Sequence, residues 1–306
     1  MRNPERTFLA LALALLLGAC QEPAVPPEGA TLLADTPGST PALVFAVHPY
    51  DTPSRLVSRF QPLCDYLGAR LKRPVQLYLA QSYGDEIRRI THGQVDLAYL
   101  GPTPYLRAHD HYLEGSGADN IQILAGETQG GEIGYRGVIV ALASGPIGSV
   151  ADLRGRTLAL GDPRSFSGHF VPRAQLASAR MSLADLRDYA YLGRHERVAL
   201  AVVHGDFEAG ALREDVARLY LDRGLRVVAR SALLPPHVVV ARPGLDPDLA
   251  AAVRAALVDA GPDAAAALAA LGSEVGFAAV DDARYDPVRV TVRAIEGKHR
   301  EDPPSW

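Results

Sequence analysis

The chain has 306 residues, enough for two α/β units of ordinary size. Hydrophobic residues make up 48% and charged residues 22%, as in a globular chain rather than a disordered one. The formal net charge is −4 and no dense Lys/Arg block occurs, which excludes a nucleic acid or other polyanion as partner.

Arg2 and Arg6 flank a short basic start, and residues 8–17 read FLALALALLL. This apolar run is too short for the ~20 residues that cross a bilayer as a helix, so residues 1–19 read as a secretory signal. It ends in Leu17-Gly18-Ala19-Cys20, which resembles a bacterial lipobox with Cys20 as the lipidated new N-terminus. That places the protein outside the cytoplasm, in the periplasm or at the cell surface, held to the membrane by lipid. Cys64 is then the remaining cysteine and has no disulfide partner within the chain, so it reads as a small buried hydrophobe in a helix. Residues 20–41, rich in Pro, Gly, Ser and Thr, read as a flexible tether.

From residue 42 strands and helices alternate. Residues 43–47 (LVFAV) predict a buried strand, and residues 54–71 a helix with Leu56, Val57, Phe60, Leu63 and Leu67 at helical spacing. Strands follow at 75–79, 96–100, 121–125 and 137–143, with a short helix at 83–91. A second unit runs through a helical turn at 150–153, a strand at 157–160, a polar turn at 162–169 and a helix at 170–179. It continues with a strand at 188–192, a helix at 196–203, a strand at 207–211, a helix at 213–222 and a strand at 225–229. The chain then returns through a strand at 238–241, Ala-rich helices at 249–257 and 264–271, and a closing helix at 287–295. Alternation of this kind predicts mostly parallel sheets flanked by helices, arranged as two lobes with a cleft between them.

Catalytic and cofactor signatures are missing: there is no phosphate-binding G-x-x-x-x-G-K-[ST] loop, H-E-x-x-H helix, G-x-S-x-G elbow or paired-Cys motif. His109-Asp110-His111 reads as a solvated polar loop without further metal ligands nearby, and His195 and His204 are not at the spacing of a zinc pair. No cofactor and no metal are expected. The informative stretch is Gly161-Asp162-Pro163-Arg164-Ser165-Phe166-Ser167-Gly168-His169, between a predicted strand and a predicted helix. A helix start offers free N–H groups and partial positive charge, Ser165 and Ser167 add hydroxyls, and Gly168 permits close backbone approach. The same residues would serve equally as a Ser-rich helix cap.

This stretch, continued by Val171-Pro172, resembles the Gly-Asp-Pro-x-Ser-Thr-Ser-Gly signature of the phosphate/phosphite/phosphonate ABC-transporter substrate-binding family. Other blocks agree in order: GQVDLAYLGP at 93–102, YRGVIV at 135–140, DLRG at 152–155, His195-Glu196, FEAGA at 207–211 and LLPP at 233–236. The resemblance covers about residues 42–280. It implies a type II periplasmic binding protein-like fold, with lobe 1 formed by 42–134 and 236–306 and lobe 2 by 135–235. It further implies a small oxyanion held between the lobes and a membrane permease as partner, with a sensor kinase as the alternative recipient. The remote alternative reading of the chain itself is a Ser/His hydrolase, with Ser165 or Ser167 as nucleophile and His195 beside it. By resemblance, Ser165, Ser167 and the amide of Phe166 hold phosphorus-bound oxygens. Tyr99 and Tyr135 donate from lobe 1 and the crossover, His195 contacts the ligand, and Asp215 accepts from a protonated oxygen or an amine. The chain departs from the pattern in three places. Phe166 replaces a Thr, which removes a hydroxyl and brings a ring that would narrow the cradle. Glu208 stands for an Asp, and Pro236-His237 replaces residues that in phosphonate binders attend the ligand's amine. These departures favour phosphate or phosphite over an aminoalkylphosphonate.

Overall fold

The structure is a computed structural model that describes residues 41–113 and 120–297. The signal, lipidation and tether expectations, Cys20 included, lie outside the described residues.

Two sheets organise the described chain. The first is seven-stranded, built from β1 (Leu43–Val47), β2 (Val75–Leu79), β3 (Leu97–Leu100), β4 (Gln122–Gln129), β5 (Glu132–Ile133), β11 (Val238–Ala241) and β12 (Val275–Ala278). Its order is β12-β4-β11-β3-β1-β2, with β5 paired to β4. The second is five-stranded, from β6 (Gly137–Leu142), β7 (Thr157–Leu160), β8 (Asp188–Tyr191), β9 (Ala209–Arg213) and β10 (Leu225–Arg230), in the order β10-β6-β9-β7-β8. Both sheets are mixed. β11 and β12 run against β3 and β4, and β6 runs against β9 and β10. These reversals arise where the chain enters and leaves the second sheet, so parallel pairing is confined to β1–β2, β1–β3, β7–β8 and β7–β9. The continuous apolar runs have a simple cause: helices cover both faces of each sheet, so both sides of a strand are buried. In β1, Leu43, Phe45 and Val47 join one core with α1 (Pro53–Leu71), α7 (Pro247–Val258) and α8 (Ala265–Leu271). Ala46 joins the opposite core with residues of α3 (Pro102–Leu113) and α9 (Asp286–Glu296). Val138, Val140 and Leu212 pack with α5 (His195–Val203) and α6 (Glu214–Arg218), while Ile139, Leu158 and Leu160 pack with Leu176 of α4 (Val171–Ser178).

Local chemistry explains most element bounds. Thr52 caps α1, Pro53 occupies its first turn, and Lys72 ends it in the left-handed region at φ 51°. Leu56, Phe60, Leu63, Cys64 and Leu67 are buried, but Val57 is 44% exposed, off the core-facing stripe. Burial pushes the Cys64 thiol up to about 12, which suits a packing role. Ser82 caps α2 (Tyr83–Thr91). Three expectations change. His109 and Asp110 belong to helix α3, not to a loop; Pro102 starts that helix and Tyr105, Leu106 and Ala108 bury its inner side. The segment expected as a strand at 207–211 pairs at Ala209–Arg213, so Arg213 ends a strand rather than opening a helix. Val275–Ala278 forms an edge strand that short length and a central glycine conceal. Among the described residues no helix is long and apolar enough to cross a membrane.

The chain passes between the sheets twice, at 134–136 and 231–237. Tyr135 and Leu234 exchange backbone hydrogen bonds of 3.2 and 2.8 Å, tying the two passages side by side. Gly134, at φ +148°, is required here: a Cβ would collide with the Leu234 carbonyl and lie 2.9 Å from Leu233 Cγ.

Candidate functional site

Ligands of open α/β sheets sit beyond the carboxyl ends of the strands, where loops replace side-to-side pairing. The ends of β1, β3, β7 and β9 meet in this protein between the two sheets. The His195 N–H donates to the Tyr50 carbonyl at 3.0 Å, joining the second sheet's α5 to the loop after β1.

The turn after β7 is folded on itself. Arg164 N–H donates to Asp162 Oδ1 at 2.7 Å, and Ser165 N–H to the Asp162 carbonyl at 2.9 Å. Ser165 Oγ accepts from Gly168 N–H at 3.0 Å, and Gly168's carbonyl accepts from Gly161 N–H at 3.0 Å. One π-helical turn, Phe166–Phe170, then runs into α4. A helix start leaves its first N–H groups without intrahelical acceptors; those of Gly168 and His169 are taken by Ser165, and those of Phe166 and Ser167 stand ahead of them at the start of the turn. The Phe166 ring lies in the apolar cluster that includes Phe170, Leu234 and Tyr285. It therefore does not narrow the cradle as expected, and the residue offers its amide. Tyr135 lies near Ser167, and Tyr83, at the start of α2, lies near Ser165. Burial pushes the Tyr135 phenol up to about 12 and the Tyr83 phenol well above its usual value, so both stay neutral donors.

His195 is the first residue of α5 and is buried. Its ring rests on the two glycines: a Cβ on Gly168 would lie 3.1 Å from His195 Cε1, and one on Gly161 3.4 Å. Burial, reinforced by the Arg213 charge, pulls its pKa down to about 3, so the imidazole is neutral at working pH. Its Nδ1 is buried without a hydrogen-bond partner, and so is the Tyr50 hydroxyl. Leaving a buried polar atom without a partner costs about 1–3 kcal/mol.

An ionic wall faces this turn. Arg213, the last residue of β9, is 1% exposed. Its Nε and Nη2 donate to Asp215 Oδ1 and Oδ2 at 2.9 and 3.0 Å, and Nη1 donates to His237 Nε2 at 3.1 Å. Nη2 also lies 3.5 Å from Glu127 Oε1, and Glu127 accepts a short hydrogen bond from Tyr99. The Tyr50 and Tyr135 rings sit 5.2 and 5.3 Å from the guanidinium carbon, within cation–π range. Burial alone would raise the Asp215 carboxyl, but Arg213 and Arg59 hold it well below the usual carboxylate range. Burial and Arg213 together push His237 well below the usual imidazole value. Glu208 is elsewhere: it pairs with Arg156 and Arg187 at 2.9 and 2.8 Å.

Tyr135, Ser165, Ser167 and His195 therefore come together directly, and Asp215 joins them through Arg213. Tyr99 joins through Glu127, and Phe166 through its backbone. Sequence reasoning passed over Tyr50, Tyr83, Glu127 and Arg213. Tyr50 and Arg213 follow strand ends, a position that is itself the missing signal. Glu127 and Tyr83 carry none. Among the described residues no group of three or more His, Cys, Asp or Glu side chains is placed to hold a metal. A cavity of about 330 Å³, lined by residues including Arg173, Leu176, Arg180, Met181 and Ile295, shares no residue with this site.

Two mixed sheets with helices on both faces, a double crossover and a polar site between them define a type II periplasmic binding protein. Solved structures share the architecture. A binding protein component of an ABC phosphonate transporter from Pseudomonas aeruginosa has a TM-score of 0.72 at 23% identity, covering 86% of this chain and 91% of that one. PhnD1 from Prochlorococcus marinus, in complex with methylphosphonate, has a TM-score of 0.74 at 17% identity, covering 83% and 98%. Residues 45–285 match the family profile described as ABC transporter, phosphonate, periplasmic substrate-binding protein. The chain belongs to that family. It is also 26% identical over 261 residues to the phosphate-import protein PhnD of Mycolicibacterium smegmatis, covering 78% of this chain and 77% of that protein.

Proposed function

We propose that this protein captures a phosphorus oxyanion, phosphate, phosphite or an alkylphosphonate, between two hinged lobes and hands it to the permease of an ABC transporter. Lobe 1 is 42–134 with 236–306, lobe 2 is 135–235, and the paired passages at Tyr135 and Leu234 are the hinge. The observation that carries the reading is the buried, unpartnered Nδ1 of His195, whose ring lies against a helix-opening turn with two serine hydroxyls. Neutral hydroxyl, amide and imidazole groups suit phosphoryl oxygens, which accept several hydrogen bonds at once. Ser165 and Ser167 of lobe 2 lie near Tyr83 of lobe 1 and Tyr135 of the crossover, so a tetrahedral oxyanion held among them draws the lobes together through itself.

The protein binds without turnover. Ser165 Oγ is engaged as a helix cap, and His195 packs its ring on glycine backbone rather than presenting a base to a serine. A permease rather than a sensor kinase is the recipient, since the family serves ABC transporters. Cys20 carries the lipid that holds the protein at the membrane face of the periplasm, as its position after an apolar core suggests. Isothermal titration with phosphate, phosphite and methylphosphonate tests the reading. Saturable heat from at least one is expected, weakened about tenfold or more in Ser165→Ala; no heat from any at millimolar concentration overturns it.

A further inference from the structure

The site holds two carboxylates, Glu127 and Asp215, that would ordinarily invite a cationic group on the ligand. Both are already occupied by cations of the protein. Arg213 takes Asp215 through a two-pronged pair of 2.9 and 3.0 Å, and reaches Glu127 at 3.5 Å. Arg59, from α1, adds a second positive charge 3.7 Å from Asp215. A guanidinium has five N–H groups. Nε spends its one on Asp215, Nη2 directs its two at Asp215 and Glu127, and Nη1 donates to the neutral His237 ring. The two tyrosine rings attend the guanidinium as well. Four of its five N–H groups are thus directed at protein groups, and both acids face a protein cation.

We infer that Arg213 is a resident cation that occupies the place of a ligand ammonium, and so makes this site select phosphorus oxyanions without a cationic substituent. The inference rests on the oxyanion reading above and names the substrate class within it. An ammonium entering beside Arg213 meets like charge in a buried space, and both acids that would neutralise it are engaged. An uncharged substituent meets no such repulsion. Arg213 is also the link between lobes, since it stands on β9 of the second sheet and reaches Glu127 on β4 and His237 at the start of β11 in the first.

Ethylphosphonate and 2-aminoethylphosphonate differ by one ammonium and serve as the probes. Titrated against the full-length protein, ethylphosphonate is expected to bind at least tenfold more tightly. Arg213→Met removes the cation shared by both carboxylates, leaving Arg59 beside Asp215, and is expected to shift the ratio at least tenfold toward the amino compound. Arg213→Lys, which keeps the charge, retains the original preference. Equal affinities, or tighter binding of the amino compound by the unaltered protein, overturn the inference and need no variant. An unchanged ratio in folded Arg213→Met overturns it too. Heat from neither probe, nor from phosphate or phosphite, overturns the oxyanion reading itself and this inference with it.

Discussion

The Ser-rich turn at 161–169 and the wall around Arg213 face the same space with opposite designs. The turn is built of neutral donors: two backbone amides, two serine hydroxyls and an imidazole kept uncharged by burial. It needs no net charge because a helix start already presents aligned N–H dipoles. The wall is built of full charges that cancel one another, Arg213 and Arg59 against Asp215 and Glu127. The difference teaches a division of labour. Under the proposed function, recognition of the oxyanion falls to groups with spare hydrogen-bonding capacity, and rejection of other charges falls to groups already engaged with one another.

The largest test of that division removes a partner from the wall. Asp215→Ala leaves the buried Arg213 charge without its bidentate acceptor, and unfolding in urea should show a loss of about 3–5 kcal/mol. A cost below 1 kcal/mol would mean that the wall is solvated and not a compensated interior pair.

Acid sharpens the comparison next. His195 has a folded pKa of about 3, and His237 also lies well below its usual value, while unfolded imidazoles titrate near 6.5. Between those values the unfolded chain binds more protons, so stability falls as pH drops below 6.5, by at most about 1.4 kcal/mol per pH unit for each ring. The Asp215 pair behaves differently: its contribution is intact above about 3.8, the usual Asp value, and is lost only below it. Melts at pH 7, 5.5 and 4.5 should therefore fall steadily, and His195→Gln should flatten the slope.

The cradle can be broken sterically. A methyl at Gly168 would lie 3.0 Å from both Gly161 Cα and Ser165 Oγ and 3.1 Å from His195. Gly168→Ala is expected to cost about 1–3 kcal/mol in thermal unfolding and to weaken oxyanion binding more than Gly155→Ala. Removing one donor is milder: Ser167→Ala should weaken the bound oxyanion by about 1.5 kcal/mol, roughly tenfold by titration, with little change in melting temperature. The smallest effect belongs outside the site. Glu208→Ala breaks pairs with Arg156 and Arg187 at the surface, and should cost about 1 kcal/mol or less with unchanged ligand affinity.

How much of this was legible in the chain depends on the range of the interactions concerned. Strands β1, β2 and β11 and helix α2 stood at their observed bounds, because apolar runs between turn residues, or a capped amphipathic segment, announce themselves locally. The cradle was legible for the same reason, since Ser165, Ser167 and Gly168 act within one turn of chain. Arg213 was misplaced because a shift of two residues in β9 keeps the same alternation; only pairing with Gly137 decides where the strand ends. β12 was missed because an edge strand of four residues with a glycine in it draws its support from β4, not from its own pattern.

By itself, the sequence determined that two α/β units alternate along the chain and that a donor-rich turn opens a helix between β7 and α4. Those properties reside in composition and in neighbours a few residues apart. Only the tertiary structure decided that Phe166 turns its ring into the core, that Tyr50 and His195 are left with unpaired buried atoms, and that Arg213 closes on Asp215, Glu127 and His237. Each of these depends on what burial does to a polar or charged group. Burial is set by segments tens of residues away, such as the 86 positions that separate Glu127 from Arg213 (213 − 127).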